Sequence, residues 1–212
     1  MIDAVVFDMD GVLVNSEPVY FNRQIRFIKE FGVTPMTTNI QDYVGRPSEV
    51  VWARAIPDEA AREQVRTAYA KYDEHTPIDF STIVNPGIPE LLQYLKTHDF
   101  KTAIASAGPL DNINLMLGQT GLKPYFDVVV SGETITQNKP DPQVYLESLA
   151  GLAARPEQSV AIEDSFTGIT AAHRAGMQAW AMRPTAYELD QSSADYIADG
   201  AEQILGKLQL LS

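Results

Sequence analysis

Six short segments rich in Val, Ile and Ala are spaced along this chain, and most are separated by stretches with helical periodicity. The segments are Ala4–Asp8, Thr102–Ser106, Val128–Ser131, Ser159–Glu163, Gln178–Met182 and Tyr196–Ile197. Between them, Ile88, Leu91, Leu92 and Leu95 fall at the i, i+3, i+4, i+7 positions of one helix face. Asn112–Gln119, Val144–Leu152 and Phe166–Ala175 repeat that pattern, and Ala201–Leu211 reads as a closing helix. Strands that alternate with helices predict an α/β fold, a Rossmann-like doubly wound parallel sheet with helices on both faces.

One stretch breaks the rhythm. From 15 to 81 the sequence carries helical patterns at Val19–Phe31, Ser48–Ala55 and Asp58–Glu74 and no convincing strand. This predicts an inserted α-helical cap domain over 15–81, with the core formed by 1–14 and 82–212. Hinges are expected at Val14–Glu17 and Thr76–Pro86, where Pro77 and Pro86-Gly87 punctuate the chain.

Among 212 residues there is no cysteine, so disulfides, zinc–thiolate sites and a thiol nucleophile are excluded. The opening residues show no secretory signal, and no apolar run reaches membrane-spanning length. A cytoplasmic monomer with no membrane partner is the default expectation. A formal net charge of −12 argues against nucleic acid as a partner. That charge is uneven: 15–81 hold ten acidic and eight basic side chains, half of all the Lys and Arg in about a third of the length. A solvated helical surface explains this, and so does a lid that attracts an anion.

In open α/β sheets ligands bind beyond the carboxyl ends of the strands. Reactive residue types collect there. The first strand runs into Asp8-Met9-Asp10-Gly11, two carboxylates one residue apart, which repel and resist desolvation. A hard divalent cation such as Mg²⁺ is the usual compensation. Another strand ends in Ser106-Ala107-Gly108, and a third in Glu163-Asp164-Ser165, while Asn138-Lys139-Pro140 precedes a helix. Read alone, Ser106 is a turn serine, Lys139 a surface lysine, and Glu163-Asp164 helix-N-terminal charge. Their joint placement is what points to chemistry.

That set resembles the haloacid dehalogenase-like superfamily. Asp8-Met9-Asp10-Gly11-Val12-Leu13 is similar to its first motif, Ser106 to its second, Lys139-Pro140 to its third, and Glu163-Asp164-Ser165-Phe166-Thr167-Gly168-Ile169 to its fourth, all in order. The helical insertion resembles the cap of the branch that contains β-phosphoglucomutase and small-metabolite phosphatases. The resemblance implies that Asp8 is the nucleophile and Asp10 the general acid and base. It implies Mg²⁺ held by Asp8, the Asp10 carbonyl and Asp164, with Glu163 in or just outside that shell. Ser106, Ala107 and neighbouring N–H groups would hold phosphate oxygens, and Lys139 would offset the charge. Gly45 and Arg46 would form the cap loop that meets the substrate.

Dehalogenating relatives lack the acid matching Asp10, so its presence implies phosphoryl transfer. Phosphonate-cleaving relatives carry a Schiff-base lysine in the cap; none is identified here, and Lys29 and Lys71 stay open as candidates. Mutases carry a histidine where this chain has Tyr20, and an arginine three residues beyond the cap-loop glycine where Arg46 follows Gly45 directly. The expected activity is therefore a Mg²⁺-dependent phosphatase of a small phosphorylated metabolite, a sugar or polyol phosphate. The alternatives are a hexose-phosphate mutase and a non-catalytic phosphometabolite-sensing module. His75, His98 and His173 form no pattern of a triad or zinc site.

Overall fold

The computed structural model describes residues 2–46, 48–74 and 76–211. Six strands form one parallel sheet: β1 (Ala4–Phe7), β2 (Lys101–Ser106), β3 (Val128–Ser131), β4 (Ser159–Glu163), β5 (Gln178–Met182) and β6 (Tyr196–Ala198). Their order across the sheet is β3-β2-β1-β4-β5-β6, so the chain starts at the centre and winds outward in both directions. This is the α/β fold the alternation predicts. The direction in which strands are added reverses at β1, between β2 and β4, and the carboxyl ends of these three strands carry Asp8, Ser106 and Glu163.

Successive side chains of a strand face opposite ways. In β1, Val5 and Phe7 face a core shared with Ile104, Ile162 and Trp180. The helices α4 (Ile88–Thr97), α5 (Leu110–Thr120) and α8 (Ala201–Leu211) cover that face. Ala4 and Val6 face the other way, with Ala103, Ala105, Ala161, Ala179 and Ala181. This alanine-paved face takes α6 (Gln143–Leu152) and α7 (Phe166–Arg174). Small side chains there let the two helices seat close to the strands, so Tyr145 and Lys139 reach the sheet's carboxyl edge.

Between β1 and α4 the chain forms α1 (Glu17–Glu30), α2 (Ser48–Ala55) and α3 (Glu59–Glu74), and no strand among the described residues. These helices have a core of their own: Ile25, Ile28, Tyr43, Trp52, Ala55, Ile56 and Val65, edged by Phe27 and Tyr69. Phe27, Trp52 and Tyr69 meet edge to face at centroid distances of 5.3 and 5.4 Å, a preferred aromatic geometry. The two connections to the sheet run side by side. Asn15 N–H donates to the Ile83 carbonyl (2.8 Å), and Asn85 N–H to that of Leu13 (3.0 Å). No helix among the described residues is long and apolar enough to cross a membrane.

Candidate active site

After β1 the chain turns through Met9–Leu13. The Asn85 side-chain amide donates to the Gly11 and Val12 carbonyls at 3.1 and 2.8 Å and fixes that turn. Gly11 has φ +80°, and a Cβ there would lie 2.1 Å from Asp164 Oδ2. Glycine is therefore required twice, for the left-handed backbone and for the approach of the Asp164 carboxylate.

Lys139, on the loop before α6, delivers its ammonium to the end of β1. The side chain is 7% exposed. Its three protons go to Asp8 Oδ1 (2.7 Å), Glu163 Oε1 (2.7 Å) and the Ala105 carbonyl (2.9 Å). Burial works against its charge, but Asp8 and Glu163 hold its pKa above the ordinary value. Glu163 is fully buried and accepts more than this. Oε1 also receives the Tyr145 hydroxyl (2.6 Å), and Oε2 receives the N–H groups of Asp164 and Ser165 and the Ser165 hydroxyl. Burial opposes ionisation of Glu163, yet Lys139 and these donors keep its carboxyl below the usual range.

The other acids differ. Burial pushes Asp8 up to about 7, against Lys139 and aided by Glu163 and Asp10. Burial also raises Asp164 well above the usual range, reinforced by Glu163 and Asp8. Asp10 is raised by burial too, although the Ser16 hydroxyl donates to its Oδ1. Glu17, in the first turn of α1, is pushed to about 7 by burial and by Asp10. One ammonium thus serves several enclosed carboxyls, and the site is short of positive charge. Oxygens of Asp8, Glu163 and Asp164 lie within 4.8 Å of one another, close enough to share a cation. An all-oxygen set suits Mg²⁺. Both oxygens of Glu163 already accept hydrogen bonds, so Asp8 and Asp164 are the carboxylates free to ligate.

These groups open into a crevice of about 930 Å³ between the sheet edge and the helical segment. Asp8, Asp10, Lys139, Asp164 and Ala107 line it from the sheet side, and Gly45 and Arg46 from the turn before α2. Ser106 does not line it. It is 1% exposed, and its hydroxyl accepts from Gly108 N–H at 3.1 Å, so Ala107 and Gly108 face the crevice in front of it. Among the histidines, His98 stacks on Tyr94 at 3.9 Å, His173 pairs with Asp195 at 2.9 Å, and His75 lies outside the described residues.

Several participants were not legible as such. Ser16 sits in the hinge and reads as a helix cap, but its hydroxyl bonds Asp10. Tyr145 reads as core. Gln191 has no distinguishing context, yet its amide donates to the Asp164 carbonyl at 2.6 Å and so fixes that backbone. Tyr145 and Gln191 act through contacts between residues remote in sequence, and only Ser16, near Asp10 in the chain, gave a local signal.

A doubly wound sheet with a buried aspartate at its central strand end, facing a helical insertion, defines a class of capped α/β hydrolases. The family model described as "Haloacid dehalogenase-like hydrolase" matches residues 5–182, and the chain belongs to that family. A phosphorylated carbohydrates phosphatase from Thermotoga maritima is 33% identical over 179 residues, covering 83% of this chain and 82% of that one. Hexitol phosphatase B of Escherichia coli K12 is 30% identical over 185 residues, covering 82% and 81%. A β-phosphoglucomutase structure from Clostridium difficile, 23% identical and covering 99% and 96%, shares the fold with a TM-score of 0.72.

Proposed function

We propose that this phosphoric monoester hydrolase is a Mg²⁺-dependent phosphatase of small phosphorylated metabolites, sugar or polyol phosphates, working through an aspartyl-phosphate. The observation that carries this reading is the unequal environment of the two acids. Asp8 accepts the Lys139 ammonium at 2.7 Å, the charge that favours its nucleophilic carboxylate, whereas Asp10 faces the same crevice with the neutral Ser16 hydroxyl as its hydrogen-bond partner, the setting of an acid and base.

In the proposed reaction an Asp8 carboxylate oxygen attacks phosphorus in line while the ester P–O bond breaks. Asp10 gives its proton to the leaving alkoxide, which departs as the alcohol. Asp10, now a base, takes a proton from water as the water oxygen attacks the phosphorus of the acyl phosphate. Inorganic phosphate leaves and both carboxyls are restored. Lys139 holds the reacting oxygens of Asp8 in place and offsets charge. The backbone N–H of Ala107 would hold a phosphoryl oxygen, while that of Gly108 is turned to the Ser106 hydroxyl. A Mg²⁺ held by Asp8, Asp164 and the Asp10 carbonyl would supply the positive charge that this acidic site lacks. Residues 15–81 act as the cap, excluding water and bringing Gly45 and Arg46 to the leaving group. The relatives named as carbohydrate and hexitol phosphatases support this substrate class.

The test is phosphate release from a panel of phosphorylated metabolites with Mg²⁺, run beside Asp8→Asn. Release from at least one sugar or polyol phosphate, lost in the variant, is expected. No release, or undiminished release by Asp8→Asn, overturns the reading. A hexose-phosphate mutase is the second reading, favoured by the fold shared with the Clostridium difficile enzyme. Hydrolysis without interconversion of glucose 1- and 6-phosphates excludes it.

A further inference from the structure

Two polar groups in the crevice take no part in the proposed chemistry. Glu17 lines the crevice from the first turn of α1, half-buried, and among the described residues its carboxylate has no hydrogen-bond or ion-pair partner. Tyr187 lines it from the loop between β5 and β6. That ring is 7% exposed, and its hydroxyl is buried with no hydrogen-bond partner. The hydroxyl lies near enough to Asp164, Glu17 and Asp10 for their charges to oppose its ionisation. A buried donor without a partner is costly to keep, and a ligand that supplies the partner recovers that cost; Glu17, half-buried in the same crevice, is an acceptor open to the same ligand.

Position limits what the ligand group can be. Glu17 stands on α1, on the helical side of the crevice, whereas Asp8 and Lys139, which take the phosphoryl group in the reaction above, line it from the sheet. The leaving group, not the phosphoryl group, therefore lies beside Glu17. Of the cations lining the crevice, Lys139 has all three protons committed, and Arg46 belongs to the exposed turn before α2. Among the described residues no cation, Arg46 included, pairs with Glu17, so a second anion on that side of the leaving group would meet a carboxylate. A neutral hydroxyl can donate to Glu17 and accept from Tyr187.

We propose that Glu17, assisted by Tyr187, is the specificity-determining residue for the alcohol: it favours polyhydroxylated, uncharged leaving groups and rejects carboxylate-bearing ones. The assignment rests on the phosphatase reading and narrows it. Steady-state kcat/KM is measured with Mg²⁺ for sorbitol 6-phosphate, 2-phosphoglycolate and 4-nitrophenyl phosphate, in wild type, Glu17→Gln and Tyr187→Phe. The wild type is expected to prefer sorbitol 6-phosphate to 2-phosphoglycolate. In Glu17→Gln the ratio of sorbitol 6-phosphate to the aryl ester falls about tenfold, the scale of a hydrogen bond to a charged group. The ratio of 2-phosphoglycolate to the aryl ester rises in the same variant. Tyr187→Phe lowers the first ratio by roughly threefold, and decides the matter if Glu17→Gln does not fold. Loss of all three activities in equal proportion, or ratios that do not move, overturns the assignment while leaving a phosphatase. A wild type that hydrolyses none of the three overturns this assignment, and the phosphatase reading falls with it when the wider metabolite panel also releases no phosphate.

Discussion

At the scale of single residues, the site is organised by one lysine. Lys139 joins Asp8, whose Oδ1 it holds at 2.7 Å, to Glu163, which no solvent reaches. Taking away one member of a buried ionic cluster leaves the others uncompensated, at a cost of about 3 kcal/mol. Lys139→Ala is expected to lose about that much stability by urea unfolding and to reduce kcat by at least about 100-fold. A variant with wild-type stability would show that Asp8 and Glu163 find other partners. Ser16 is a milder probe. Ser16→Ala removes one hydrogen bond to Asp10, so kcat should fall about tenfold with KM nearly unchanged, because the alcohol is protonated only during reaction. A rise in KM with unchanged kcat would instead place Ser16 in binding. Asp8, Asp10, Lys139 and Asp164 were legible in sequence because their residue types stand at strand ends and next to a proline-marked loop. Ser16 and Tyr145 were not, since a serine before a helix and a tyrosine on an apolar face have ordinary local explanations.

At the scale of elements, the β4–α7 junction links packing to charge placement. Ser165 caps α7 by accepting Gly168 N–H at 3.1 Å and also donates to Glu163 Oε2. Gly168 lies so close that an added Cβ would fall 1.8 Å from Glu163 Oε1, the oxygen that Lys139 grips. Helix propensity alone favours alanine over glycine by about 1 kcal/mol. Overpacking against a fixed carboxylate costs about 1–3 kcal/mol and displaces Lys139, so sterics win. Gly168→Ala should therefore lower both the thermal midpoint and kcat, and a raised midpoint would refute the argument. A second junction is sensitive to pH. Burial opposes the charge on Asp195, but Ala179 N–H at 2.8 Å and His173 at 2.9 Å hold its carboxyl below the usual range. A depressed folded-state pKa stabilises above the unfolded value, near 3.8, and the benefit is lost as pH falls through the folded value. Asp195→Asn should destabilise the protein at pH 7 and converge on wild type in acid, as followed by thermal unfolding. Solvent exposure screens the pair, so the gap will be small. The strands were read nearly residue for residue from their apolar composition. The first helix was expected at Val19–Phe31 but spans Glu17–Glu30, because Pro18 sits in the first turn, where its missing N–H costs nothing. That shift moves Glu17 from a hinge onto a helix facing the crevice.

At the scale of the whole molecule, a chain of net charge −12 gathers carboxyls around the place where an anionic ester must bind. Lys139 cannot neutralise them, since its protons are spent on Asp8, Glu163 and a carbonyl. The fold tolerates this by burial, which drives Asp8 and Asp164 toward their protonated forms. A cation that binds the folded chain and not the unfolded one shifts the folding equilibrium by mass action, by about 2.7 kcal/mol at 100 times its Kd. For a chain of this size each kcal/mol moves the midpoint by about 2–4 °C. Mg²⁺ at saturating concentration should thus raise the unfolding midpoint by roughly 5–10 °C, and EDTA should return it. Asp164→Asn should abolish the Mg²⁺ response. It should not lower the metal-free midpoint, because it removes a charge that burial disfavours and that Asp8 and Glu163 repel. The two halves of this prediction separate a cation site from a merely structural acid. A structural Asp164 would cost stability when changed and would leave the Mg²⁺ response in place.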